Sequence, residues 1–375
     1  MTAVPLSVLD LVPVVSGSSS ATALHRTLDL ARAAERAGYA RYWLAEHHLN
    51  PGVAGSAPTV VIGAVAAVTS SIRVGSAATL VGNVRGLQIA ETFGTLTGLY
   101  GPRFDLGLGR SGAPAPGTPK PPSLAPRADQ VVDGLLLPAP FDFRVAPGST
   151  FALQGELLGR VPGDVERFDD DLALVRALFA GTWTRGGKVV EAPPATGAEV
   201  ELWIHGSTGG ESARVGGSLG LPYGANYHSS PGTVLASVEA YRASFRPGVL
   251  DAPRVVVSAD VVVGRSAAEA EELALGYGQW VHSIRSGVGA IPYPTPDAAR
   301  ATPLPDEAAA AVRDRLVSRF VGDAAHVADR LEVLRRVTGA DELLVTTITH
   351  DHAARVRSYE LLAAEWARRA LAPAA

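Results

Sequence analysis

The chain of 375 residues has no cysteine, no marked excess of either charge and no long apolar run. Without thiols it can form neither disulfides nor thiolate metal sites nor a cysteine nucleophile, and any redox chemistry needs a borrowed cofactor. With 33 basic against 37 acidic residues and a net charge of -4, nothing marks a nucleic-acid or anionic-membrane surface. The longest apolar run, Val60 to Val68, is roughly half the length of a bilayer span. The apolar start, Met1 to Val15, has no basic leader and is broken by Pro5, Asp10 and Pro13, so it reads as a core strand rather than a secretion signal. A folded, cytoplasmic protein is expected, since 47% of the residues are hydrophobic.

What is present is a rhythm. Short apolar runs alternate with helical patterns: strand Ser7 to Leu11, helix Ala21 to Ala37, then the strand at Tyr42. The helix carries Leu24, Leu28, Ala31 and Ala34 on one stripe and stops at Gly38. The same unit recurs through strands Ile72 to Leu80, Phe104 to Gly109, Glu201 to His205, Leu221 to Asn226, Arg254 to Val263 and Glu342 to Thr349. Between them lie helices at 58–69, 87–99, 169–179, 211–219, 233–245, 267–284 and 324–337, and a last helix at 351–370 has Asp351 as its cap. Eight such units predict a single α/β domain, an eight-stranded parallel β/α (TIM) barrel, because open doubly wound sheets usually have fewer strands. Two Pro- and Gly-rich excursions, 111–165 after strand 4 and 286–320 in the strand 7 to strand 8 crossover, read as loops over a barrel end.

Several familiar patterns fail on context. Gly107-Leu-Gly109-Arg-Ser-Gly112 follows a strand, but the Pro-rich residues after it cannot open the helix a dinucleotide site needs. Gly216-Gly-Ser218-Leu-Gly220 ends a helix and precedes a strand, the reverse of a nucleophile elbow, so Ser218 is a helix-end residue. His350-Asp351-His352 follows the last strand rather than the first, and no metal site is expected.

Three features survive. Glu46, His47 and His48 end an apolar strand, where barrels keep their chemistry, and an imidazole there can take or give a proton near neutrality. The alternation of side chains along a strand turns His48 away from His47, and Glu46 orients a neighbour. Ser207, Thr208, Gly209, Gly210 and Ser212 lie between a strand and a helix, combining hydroxyls with free backbone N–H groups suited to a phosphate, although an ordinary glycine-rich turn has the same composition. Arg110 ends the neighbouring strand and brings a guanidinium toward the same anion.

The chain also resembles the bacterial luciferase-like flavin monooxygenases over nearly its whole length. The resemblance rests on Trp43-Leu-Ala-Glu-His-His48, Arg73-Val-Gly-Ser-Ala-Ala78, Arg103-Phe-Asp-Leu-Gly-Leu-Gly-Arg110, the Gly206 to Ser212 loop with Leu219-Gly-Leu-Pro222, and Thr346-Thr347 with Arg357-Ser-Tyr-Glu-Leu-Leu362. It implies a barrel that uses reduced FMN, delivered by a separate flavin reductase, and dioxygen to oxygenate a small hydrophobic substrate. It further implies His47 as the acid/base, Arg110 and Ser207 to Ser212 as the phosphate holders, a cis peptide between Ala77 and Ala78 under the flavin, and a homodimer through helices 58–69 and 87–99. A deazaflavin-dependent hydride-transfer oxidoreductase and a non-catalytic flavin-binding partner subunit are the alternatives the same resemblance leaves open. Two positions depart from the family: Gly109 stands where luciferase α chains have cysteine, and Asn83-Val-Arg-Gly86 replaces a His-Pro element.

Overall fold

Runs rich in Val, Leu and aromatic residues form eight parallel strands in the computed structural model, which describes residues 4–110, 128–139, 141, 148–160 and 168–371. They are β1 (Leu6–Asp10), β2 (Arg41–Leu44), β3 (Arg73–Val81), β4 (Phe104–Arg110), β5 (Val200–Gly206), β6 (Tyr223–Asn226), β7 (Val255–Gly264) and β8 (Glu342–Thr346). Each pairs with its sequence neighbours, and β8 pairs with β1 through Leu343 and Leu6, closing the ring. This is the expected barrel. Helices wrap it: α1 (Ser20–Arg36), α2 (Pro58–Val68), α3 (Gly86–Tyr100), α4 (Phe168–Ala180), α5 (Glu211–Ser218), α6 (Val234–Ser244), α7 (Ala324–Thr338) and α8 (His352–Leu371). Side-chain caps fix several starts, with Ser19 accepting from the Thr22 N–H at 3.1 Å and Asp351 from the Ala354 N–H at 2.6 Å.

Alternation along the strands sorts the core into two shells. Tyr42, Leu44, Val255 and Val257 face outward under the helices, whereas Leu9, Trp43, Trp203, Val256 and Leu344 fill the barrel interior. At the amino ends of the strands the interior is ionic. Arg41 donates to Asp105 at 2.8 Å, Glu201 at 3.1 Å and Glu342 at 3.1 Å, while Arg73 and the Trp43 indole complete Asp105 at 2.7 and 2.9 Å. Arg254 joins through Glu201 at 3.0 Å. Three guanidiniums thus meet three carboxylates, and the floor is electrically balanced.

The second excursion differs from the sequence expectation. The helix expected over 267–284 divides into Ala267–Ala274 and Tyr277–Arg285, because Gly276 between them adopts φ +86°. The proline-rich stretch beyond is largely helical, with helices Pro296–Ala301 and Asp306–Val317, and two of its prolines, Pro296 and Pro305, sit at helix starts, where their missing N–H costs nothing. It ends in a short ninth strand, Phe320–Asp323, paired to the far end of β7. Tyr277, Trp280, Tyr293 and Val312 from this segment pack onto the interior shell, so it covers the carboxyl end of the barrel.

The described parts of the first excursion are a hairpin, Gln130–Val132 with Leu135–Leu137, and a helix, Thr150–Leu157. They lean on the second excursion, through Asp129 to Arg313 at 2.7 Å and Thr150 N–H to the Gly287 carbonyl at 3.1 Å.

Candidate active site

The strand β2 stops at Leu44, three residues before His47. The alternation rule therefore does not govern residues 45–48, and His48 is held instead by Glu46, Nε2 to Oε1 at 3.0 Å. Glu46 orients its neighbours, as expected. Its carboxylate also accepts from the Leu80 N–H at 2.9 Å and from the Asn83 amide, tying the end of β2 to the end of β3. The backbone of His47 is fixed separately, its N–H donating to the Gly55 carbonyl at 3.0 Å, and its Nδ1 is buried with no partner among the described residues. Burial lowers its pKa to about 4, with Glu46 opposing and His48 assisting. At neutral pH this imidazole is uncharged and able to accept a proton.

On β3, Ser76 pairs with Leu106 and Thr79 with Leu108, so one extra residue bulges from the ladder at Ala77 and Ala78. Their peptide bond is cis. Ala77 packs on the interior shell, and a Cβ at Gly109 would come within 3.0 Å of the Ala78 methyl. Glycine at 109 thus leaves room for the bulge.

Arg110 pairs in register with Val81, and one residue earlier Gly109 pairs with His205, so Arg110 stands beside Gly206 at the start of the glycine-rich loop. Among the described residues no hydrogen bond or ion pair engages its guanidinium. The loop presents donors. Its Ser207 and Thr208 carbonyls are occupied, by the Thr233 hydroxyl and by the Ser237 hydroxyl at 3.2 Å, while the Ser207, Thr208 and Ser212 hydroxyls have no partner among the described residues. α5 begins at Gly210 with no side-chain cap, which leaves its first-turn N–H groups and positive dipole end open beside Gly209. An open helix start, three hydroxyls and a free guanidinium on adjacent strands fit a phosphate. His47, Ala77, Ala78, Arg110 and Ser207 to Ser212 thereby come from four consecutive strands, β2 to β5, with Ala77 and Ala78 at the mid-strand bulge of β3 and the others at or beyond the strand ends.

The discarded patterns have structural explanations. A Cβ at Gly107 would lie 2.1 Å from the Ser76 carbonyl, so that glycine is required by strand packing. Ser218 donates to the Val215 carbonyl at 3.1 Å at the end of α5. His350 contacts the Ser16 carbonyl at 3.0 Å and His352 contacts Asp29 at 2.8 Å, and among the described residues no cluster could hold a metal ion.

Two histidines escaped the sequence reading. His205 is buried inside the barrel at the end of β5, edge-on to Trp43 at 5.4 Å between centroids, in a slot left by Gly107 and Gly224. Its Nε2 has no partner among the described residues, and burial lowers its pKa to about 4. His228 lies just past β6, its Nδ1 2.6 Å from the Ser258 hydroxyl. Its pKa falls to about 3, through burial first, then the charge of Arg315, with Asp260 opposing and His47 adding. The strand-end rule that singled out His47 finds His228 when applied to β6.

These three imidazoles contribute to the acid response. Unfolded, each binds a proton near pH 6.5, whereas folded each resists until about pH 4 or 3. The unfolded state binds more protons between these values, so stability is lost as pH falls from 6.5 toward 4. In urea titrations across that window, His205→Gln is expected to remove about 1.4 kcal/mol per pH unit from the slope. An unchanged slope would mean that the ring is not held neutral.

The family model for luciferase-like monooxygenases matches residues 5–121 and 147–342. An uncharacterized Bacillus subtilis protein, YvbT, is 37% identical over 366 residues, with 97% of each chain covered, and a luciferase-like monooxygenase of Escherichia coli K12 is 33% identical over 360 residues, with 96% of each covered. The crystal structure of apo-MsnO8 superposes with a TM-score of 0.75 at 31% identity, covering 97% of this chain and 98% of that one. At lower identity the fold is shared with the oxygenating constituent of 3,6-diketocamphane monooxygenase in complex with FMN (TM-score 0.67, 17%, 99% of this chain and all of that one) and with an F420-dependent secondary alcohol dehydrogenase (TM-score 0.60, 13%, 97% and 99%). A closed barrel whose β3 bulge, Arg110 and β5 loop share one end, together with a match across most of the sequence, places the chain in the luciferase-like monooxygenase family.

Proposed function

We propose that the protein is a two-component monooxygenase that binds reduced FMN from a separate flavin reductase and oxygenates a small, largely apolar molecule. The observation that carries this is the juxtaposition of the unpaired Arg110 with the uncapped start of α5 and its loop of donors. Reduced FMN supplies the two electrons by which dioxygen yields one oxygen atom to the substrate and one to water. Arg110 and Ser207, Thr208, Gly209, Gly210 and Ser212 hold the phosphate, supplying charge, hydroxyls and the helix dipole. Ala77 and Ala78 offer the ring a small-residue surface at the bulge of β3. His47, neutral and rigidly seated by its backbone, takes or returns a proton at its imidazole nitrogen. The segment covering the strand ends, with Trp280 and Tyr293, excludes water from the reacting centre.

Anaerobic titration with reduced FMN, followed by an oxygen pulse, tests this. Expected are saturable binding and reoxidation on the protein at a rate unlike that of free flavin. Arg110→Ala is expected to weaken binding at least tenfold, whereas His47→Ala binds normally but loses substrate turnover by about 100-fold or more. Tight binding of reduced deazaflavin with none of FMN would favour the hydride-transfer alternative, and full turnover in His47→Ala would favour a role without catalysis by this residue.

A homodimer through α2 and α3 is part of the same reading. Val60 is 72% and Leu99 69% exposed there, beside Leu87, a level of apolar exposure that a second copy would cover. A sedimentation mass of two chains is expected at micromolar concentration, and a mass of one chain would exclude it.

A further inference from the structure

The roof of the barrel mouth holds more positive charge than it neutralises. Asp260, on the inner face of β7 two residues beyond Ser258, pairs with Arg319 at 3.0 Å, and both side chains are almost fully buried. The Arg319 guanidinium lies 3.7 Å from the centroid of the Tyr277 ring, and the Tyr277 hydroxyl in turn accepts from Arg315 Nη2 at 2.7 Å. Arg315, from the helix Asp306–Val317, therefore closes a cluster that starts at His228 and Ser258 and passes through Asp260, Arg319 and Tyr277. The cluster holds two guanidiniums and one carboxylate, which pairs with Arg319 alone. Among the described residues Arg315 has no ion pair, and both its Nε and Arg319 Nη2 are buried without an acceptor. His228 is uncharged at neutral pH, in part because of Arg315, so it offsets nothing.

Arg315 is half-buried without a counter-ion, its Nε sealed from water, and a guanidinium with unused donors is built to receive a planar anion. The phosphate cradle is not that anion's place, since it sits on β4 and β5 while this cluster sits on β7 and the helices above it. The excess is one charge. The same segment contributes Trp280, Tyr293 and Val312 to the apolar interior shell. We propose that this cluster is a carboxylate subsite, and that the organic substrate is a monocarboxylate with an otherwise apolar body, anchored by Arg315. The inference rests on the functional reading above, and it names the substrate class of that site. It also accounts for the neutrality of His228: a second cation beside Arg315 would overcharge a pocket made for a single negative charge.

Isothermal titration with hexanoate and with its neutral counterpart hexanamide tests the subsite without knowledge of the physiological substrate. The native protein is expected to prefer hexanoate about tenfold, or about 1.4 kcal/mol. Arg315→Gln is expected to erase the preference, Arg315→Lys, which keeps the charge, to retain part of it, and Arg110→Ala to leave it intact. Equal binding of the two probes by the native protein, or a preference that survives in Arg315→Gln or disappears in Arg110→Ala, would overturn the proposal. Affinity for reduced FMN is measured on the same proteins and is expected to be unchanged in Arg315→Gln. Loss of FMN binding by the native protein would defeat the functional reading itself, whereas normal FMN binding without an anion preference would defeat the subsite alone.

Discussion

Arg41 is the residue on which the barrel closes. Its one guanidinium is shared among Asp105, Glu201 and Glu342, which come from β4, β5 and β8, so it links strands across the ring rather than along it. Burying such charges is costly, and the arrangement is tolerable only because Arg73, Arg254, Ser7 and the Trp43 indole saturate the remaining oxygens. Stripping out one partner would leave an uncompensated charge inside the barrel, a loss of about 3–5 kcal/mol. Register follows from the same contacts, because a one-residue slip of any of these strands would turn its charged residue out of the interior.

The two ends of the barrel are built on opposite terms. At the amino ends polar groups are matched within the chain, three cations against three anions. At the carboxyl ends they are left open among the described residues: Arg110 has no counter-ion, α5 has no side-chain cap, Arg315 and Arg319 have unused donors, and His47 and His205 each keep a bare ring nitrogen. Unsatisfied groups destabilise a fold, and their concentration at one end is the physical signature of sites completed by ligands. The paired floor offsets the open roof.

The barrel was legible because each strand is a short apolar run bracketed by a helix with its own stop signal, as at Gly38 and Gly339. The failures were local. A single glycine at 276 broke a helix whose apolar pattern continues across it, and the prolines of 292–305 suggested loop where two of them precede or open helices. Part of the first excursion, including residues 111–127, lies outside the described residues. His47, Arg110 and the Ser207 to Ser212 loop could be found from sequence because each lies next to a strand end in the chain. His228, just past β6, was open to the same rule, whereas Asp260, Arg319 and Arg315 were not, since they converge from β7, the residue before Phe320–Asp323 and a helix far along the chain, with no spacing to betray them. His205 was hidden differently: the glycines that make its slot, Gly107 and Gly224, stand in two other strands.

A phosphate held between Arg110 and the start of α5 is the premise of every functional statement made for this chain. Anaerobic equilibrium titration of the native protein with reduced FMN and with reduced riboflavin, which lacks only the phosphate, measures it most directly. FMN is expected to bind at least about 100-fold more tightly, the equivalent of about 2.7 kcal/mol from charge-assisted hydrogen bonds and the helix dipole. Equal affinity for the two flavins would show that the strand-end cradle holds no phosphate.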